Sequence, residues 1–194
     1  MNIDKFSAIY WQRRFGSTVR FHGQEWAGTR ETILHHSANV ALLLLNILGL
    51  QCTSTLLAAA MTHDLAEGVT GDIPAPTKRL LGNERIADLE KQIEAHYAIP
   101  RFTLTEDERR YLKAADFIDA CFTCLMQRLM GNTNVDWCFD SYVQHELKTD
   151  LLAFDPEFKK LFTDICVAYR CEVTGTRHTS PVRDAYAFRW QNNL

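Results

Sequence analysis

The chain has 194 residues, 46% of them hydrophobic and 23% charged, and this composition reads as one globular domain over 1–194 with a sizeable core. A formal net charge of -3 gives no global attraction to nucleic acid or anionic lipid. The opening MNIDKFSAIYWQRRF lacks a secretory apolar core, and the run VALLLLNILGL is too short by itself to span a bilayer. The expectation is a cytoplasmic protein with neither a membrane nor a nucleic-acid polymer as partner.

Taken in chain order, Phe6, Ile9, Tyr10 and Phe15 recur at helical spacing over about 4–15. The stretch STVRFHGQEWAGT, broken by Gly16, Gly23 and Gly28 nearby, predicts a loop. Thr29 or Thr32 is placed to cap a second helix that runs to about Leu48 and stops at Gly49. A third helix is expected over about 52–67, ending near Gly68 or Gly71, with a rigid turn at Pro74 and Pro76. Further helices fit about 83–97, 105–131, 138–151 and 156–172, and TGTRHTSPVRDAYAFRW reads as a loop and a short amphipathic helix. No run of alternating β-branched residues reads as a strand. The expected class is all-α, with six to eight helices.

Six cysteines raise disulfide and zinc alternatives. Cys121 and Cys124 form a C-x-x-C, but it lies in AADFIDACFTCLMQRL, which is helical and lacks the turn a zinc knuckle requires. Buried free thiols are expected, as in a reducing compartment.

The segment AMTHDLAEGVTGDIPAP places His63, Asp64, Glu67 and Asp72 within an apolar helical pattern. Buried ionisable groups cost free energy unless they are paired or bind a metal. His36 shares a stripe with Val40, Leu43, Leu44 and Ile47, whereas His35 falls on a polar side with Asn39 and Asn46. His63 shares a face with Leu56, Ala59, Ala60 and Glu67, and Asp116 lies on an apolar side of the long helix. Each of these residues alone also reads as a hydrogen-bonded core histidine or a solvated acid. Together, two imidazoles and two carboxylates form a mixed nitrogen and oxygen set suited to a divalent transition metal.

These residues, in the order H…HD…D, resemble the signature of the HD-domain metal-dependent phosphohydrolases. The string HDLAEGVTGDIPAPTK is similar to the H-D-x-x-E-x-x-x-G-D-x-P-x-P-x-K block of the bacterial 5′-deoxynucleotidases (the YfbR-like group) and of phage relatives that act on dATP (the DatZ-like group). RETILHHS and LKAAD resemble two further motifs, so the likeness spans about 18–130 and leaves the helices of 138–194 for packing or oligomer contacts. His35 stands where the family has an acid, and Arg20-Phe21 stands where it has an Arg-Trp pair. The short interval between the doublet and Asp116 resembles the phage-type members.

The resemblance implies an HD-domain helical bundle in which His36, His63, Asp64 and Asp116 bind one divalent metal (Zn, Co or Mn). Glu67 and Asp72 are implied as catalytic carboxylates, Arg20, Lys78 and Lys113 as phosphate ligands, and Phe21, Trp26 and Pro76 as the base and sugar pocket. Simpler readings stand beside these: an exposed acid at a helix end for Glu67, a turn residue for Asp72, solvated cations for Arg20 and Lys78, and core for Trp26. The implied function is hydrolysis of deoxynucleotides, with dATP favoured and deoxyadenosine and triphosphate as products, and with dADP and dAMP as further substrates. A 5′-deoxynucleotidase of broader base range and a nucleotide-binding regulator are the alternatives. A further divalent ion accompanying the triphosphate, a homo-oligomer (dimer or hexamer), and the host cytoplasm for a phage-encoded member complete the expectation.

Overall fold

The computed structural model describes residues 3–21, 23, 25–28 and 30–176. Its helices are α1 Lys5–Gly16, α2 Ile33–Leu48, α3 Ser54–Thr62, the single turn α4 Glu67–Thr70, α5 Ala75–Leu81, α6 Asn83–Tyr97, α7 Glu106–Leu129, α8 Asp136–Thr149 and α9 Pro156–Thr174. No strand forms among the described residues; Val19 and Thr32 make an isolated antiparallel bridge. The fold is an all-α helical bundle. The closing segment from 177 onward, with its expected amphipathic helix and Trp190, lies outside the described residues.

Local chemistry explains most of the boundaries. Asp4 caps α1 by accepting from the Ser7 amide at 3.0 Å, Thr32 caps α2 by accepting from His35, and Thr53 caps α3 by accepting from Leu56. Gly49 ends α2 at φ +54, a conformation that costs a glycine little. Two expectations fail. The third helix does not run to residue 67 but stops at Thr62, and the chain continues through tight turns in which Leu65 bonds Thr62 O and Glu67 bonds Asp64 O. The physical reason is His63, whose Nδ1 takes the Ala60 carbonyl at 2.8 Å, the acceptor that helix continuation would give to the Asp64 amide. Nor do the prolines make only a rigid turn. Pro74 sits at the N-cap of α5 and Pro76 in its first turn, where a missing N–H is not needed for the helix.

The chain divides into two compact units, with the boundary after Asp119 inside α7. The first unit holds a core of Phe15, Ile33, Leu65, Ala66, Ile93 and Ile99, with Trp11 and Tyr97 packed against it. Trp11 stacks on Phe15, and Tyr97 meets Phe15 edge-on at 4.8 Å between centroids. In the second unit Phe139 and Tyr169 stack at 3.8 Å, and the Tyr169 hydroxyl donates to Asp136 at 2.6 Å. All six cysteines are free, with Cys121 and Cys124 buried in α7 as expected.

The apolar run in α2 extends further than its eleven-residue string suggested. With the following 3₁₀ turn, Ile33–Gln51 is long and apolar enough to cross a membrane. Its packing is that of a core helix on one face: Ile33, His36, Ser37, Val40, Ala41 and Leu44 are buried, while Leu42 and Leu45 are exposed.

Candidate metal centre

His36, His63, Asp64 and Asp116 each offer one ligand atom, and these atoms all lie within 4.8 Å of one another. They come from three segments: α2, the turn after α3, and α7. His36 Nε2 is 3.0 Å from Asp116 Oδ1 and 3.6 Å from Asp64 Oδ2, and His63 Nε2 is 3.4 Å from Asp64 Oδ1 and 3.9 Å from Asp116 Oδ1. Both Nε2 atoms are buried and make no properly angled hydrogen bond, despite the nearby oxygens. They lie among the carboxylate oxygens, all four ligand atoms within 4.8 Å of one another. Zinc takes such nitrogens and oxygens at about 2.0–2.2 Å, which sets neighbouring ligand atoms about 3–4 Å apart. The residues present therefore fit a divalent ion.

The outer nitrogens are both pinned. His63 Nδ1 donates to the Ala60 carbonyl, because a carbonyl oxygen can only accept. His36 Nδ1 meets Asp119 Oδ2 at 2.6 Å. Burial lowers the His36 pKa, but the neighbouring carboxylates of Asp116 and Asp119 outweigh it and raise it to about 9. Burial likewise opposes the charge on His63, and Asp64 and Asp116 again produce a net rise. The two acids respond in the opposite sense. Burial pushes Asp64 up, yet His63 and Arg20 bring it down, and the imidazoles hold Asp116 well below the usual carboxylate range against its burial.

Arg20 stands behind this group. Its Nη1 donates to Asp64 Oδ2 at 2.9 Å and its Nε lies 3.7 Å from Glu31 Oε2, with the Arg20 side chain 10% exposed. The β-bridge fixes the loop that delivers it, since the Arg20 amide bonds Glu31 O and the Ile33 amide bonds Thr18 O. Arg20, expected at the phosphate, donates to the carboxylate of Asp64, one of the four candidate ligands.

Glu67 is buried, 6% exposed, and Lys78 Nζ donates to its Oε1 at 2.7 Å while lying 3.5 Å from Glu90. Burial and the charge of Asp64 raise the Glu67 pKa to about 7 against the opposing pull of Lys78. A solvent-exposed helix-end acid is therefore not what the structure shows. Asp72 accepts a hydrogen bond from the Phe21 amide through Oδ2. Phe21 adopts φ +51, unusual for a bulky residue, and its ring stacks on Trp26 at 5.3 Å and 14°. Trp26 is half-buried in the loop. Lys113 is exposed on α7, one turn before Asp116. Pro76 lies in α5, but its side chain is outside the described residues.

Asp119 and Glu31 escaped the sequence reading as site residues. Both are buried, and together with His36 they form a second group of close ligand atoms. The signal for Asp119 was its position three residues after Asp116, on the same face of a helix. Glu31 lay inside RETILHHS, where its side chain had no assigned partner.

No family model and no curated protein matches the chain. Among solved structures, the crystal structure of the PH0347 protein from Pyrococcus horikoshii OT3 is similar over 85% of this chain and 98% of that one, with a TM-score of 0.52 and 20% identity. At that identity the likeness concerns the fold alone: the chain shares an overall helical architecture with that protein.

Proposed function

We propose that the chain is a metal-dependent phosphohydrolase acting on deoxynucleotides, with dATP favoured. The observation that carries this reading is the convergence of two hydrogen-bond-free imidazole nitrogens and two carboxylates, with the buried acid Glu67 held nearby. The ordered resemblance of HDLAEGVTGDIPAPTK to deoxynucleotide hydrolases supports the substrate class. A Zn, Co or Mn ion held by His36, His63, Asp64 and Asp116 would lower the pKa of a water and neutralise phosphoryl charge. Glu67, with a pKa near 7, is suited to accept the proton of that water at neutral pH. Attack of water at the α-phosphorus breaks the bond to the 5′-oxygen, which leaves protonated as deoxyadenosine, and triphosphate is released.

In this reading Arg20, Lys78 and Lys113 meet the polyphosphate, Arg20 and Lys78 from positions where they also pair with Asp64 and Glu67. The Phe21–Trp26 stack offers a flat apolar surface for the base. The reading includes a further divalent ion travelling with the triphosphate, a cytoplasmic setting and a homo-oligomer (dimer or hexamer). The exposed Phe6, Ile9 and Tyr10 on α1 support the last of these.

The test is a panel of dATP, dAMP and ATP with the protein loaded with Zn, Co or Mn, and identification of the released phosphate species. Triphosphate from dATP is expected, and Asp64→Asn should abolish turnover and weaken metal retention, because an amide is a poorer ligand than a carboxylate. Activity confined to monophosphates would make it a 5′-deoxynucleotidase. Tight binding without turnover would make it a regulator.

A further inference from the structure

We propose that Asp119 is a positioning residue of the metal centre, a buried carboxylate that holds His36 by Nδ1 and thereby commits Nε2 to the ion. The inference rests on the metal-centre reading above and adds a residue that no motif of the sequence contains.

The geometry supports it from three sides. His36 is 0% exposed and Asp119 is 4% exposed, so water competes with neither end of the 2.6 Å contact. The same helix, α7, supplies both partners of the ring: Asp119 lies beyond Nδ1, and Asp116, three residues earlier, lies 3.0 Å from Nε2. Residues at that spacing share a helix face, so one rigid element places a carboxylate at each nitrogen of the imidazole. His63 provides the contrast, because its outer nitrogen is held by the neutral carbonyl of Ala60. An anionic acceptor makes the opposite nitrogen of an imidazole a more basic ligand, and a neutral one does so less. The two histidines are therefore unequal ligands by construction.

Glu31 stands in the same buried layer as Asp119. Arg20 Nε lies 3.7 Å from Glu31, and His36 faces Asp119, so each acid of the layer has a cationic or proton-donating neighbour. This arrangement accounts for both acids without a second ion between them. Glu31 steadies the guanidinium that grips Asp64, and Asp119 steadies the imidazole, so each acts on a metal ligand through one intervening group.

The test uses the full chain, with cadmium and zinc as probes. In wild-type protein carrying isotopically labelled histidine and loaded with labelled cadmium, NMR should show cadmium coupled to Nε2 of His36 and a proton retained on Nδ1. Zinc affinity, measured by competition with a chelator, should fall about 10-fold in Asp119→Asn, which keeps an acceptor oxygen but not its charge. It should fall further in Asp119→Ala, toward about 100-fold. Metal-free Asp119→Asn should keep the wild-type circular dichroism, which separates positioning from a loss of fold. If Asp119→Ala does not fold, Asp119→Asn and the wild-type spectrum still decide. Cadmium bound through Nδ1, or zinc affinity unchanged in Asp119→Asn, overturns the proposal and leaves the metal centre standing. A wild-type protein that binds neither cadmium nor zinc overturns both.

Discussion

At the scale of single residues, Glu67 and Lys78 set a pH dependence. Glu67 is raised from 4.5 to about 7 by burial first and by Asp64 second, with Lys78 pulling the other way. In the proposed reaction Glu67 is the proton acceptor and works only when deprotonated, so kcat/KM should climb with pH through about 7 in the wild type. Lys78→Met removes the opposing pull and should move that rise to higher pH, which a pH–rate profile on dATP or dAMP reads directly. Stability has the opposite sign. An acid whose folded pKa exceeds its unfolded one binds its proton more tightly when folded, so stability falls as pH rises from about 4.5 to about 7. The shift corresponds to about 3 kcal/mol at most for a group buried to this degree. Glu67→Gln should lack that fall when denaturant unfolding is compared at pH 5 and pH 8, while losing about 10²–10⁴ in kcat with the metal retained. Metal loss in Glu67→Gln would show that Glu67 is a ligand instead.

At the scale of elements, close contacts between helices hold the doublet in place. α4 crosses α1 at Gly68, where an added Cβ would land on the Cα and Cβ of Phe15. Backbone cannot yield as a flexible side chain can, and overpacking of this kind costs about 1–3 kcal/mol, occasionally more. Gly68→Ala should therefore lower the denaturation midpoint measurably, and because Gly68 follows Glu67 it should also depress turnover by shifting that carboxylate. Unchanged stability would mean that α1 and α4 part without cost. The loop before α2 is held by a different device. The Asp72 carboxylate takes the Phe21 amide at a left-handed φ, which offsets the strain of placing an aromatic residue there. The helix that ends early at Thr62 and the helix that begins at the prolines thus both serve to aim side chains: His63 and Asp64 in the first case, Lys78 in the second.

At the scale of the whole molecule, the centre joins segments far apart along the chain. Arg20 and Asp64 are 44 residues apart, and His36 and Asp119 are 83. Bringing them together carries a loop-closure entropy that local helix formation does not repay. A divalent ion that binds only the folded arrangement adds stability by mass action, about 2.7 kcal/mol at a free concentration of 100 times Kd. The thermal midpoint should rise with added zinc or cobalt and fall back on chelation, and Asp116→Asn should abolish the rise. An equal rise in that variant would place the ion elsewhere. In the second unit, buried Glu146 accepts from Lys159 at 2.8 Å and from the Leu152 amide.

What the sequence determined by itself were the properties that depend on near neighbours. The 3.6-residue period is local, so it located α1, α2, α6, α7, α8 and α9 within a few residues, and it turned His36 inward and His35 outward. His36, His63 and Asp116 were legible for the same reason, since each falls on an apolar face of the expected helices, whereas Asp64 entered through the doublet that resembles the HD-domain signature; the structure brings all four together. The end of α3 was not legible, because a side chain competing for one carbonyl is invisible to periodicity. Nor was the start of α5, because prolines that break a helix interior are tolerated in its first turn. The tertiary structure alone decided the partners of the buried charges: Arg20 on Asp64, Lys78 on Glu67, Asp72 on the Phe21 amide and Asp119 on His36. A charge taken out of water must find its complement wherever the fold places one, and that complement lies dozens of residues away.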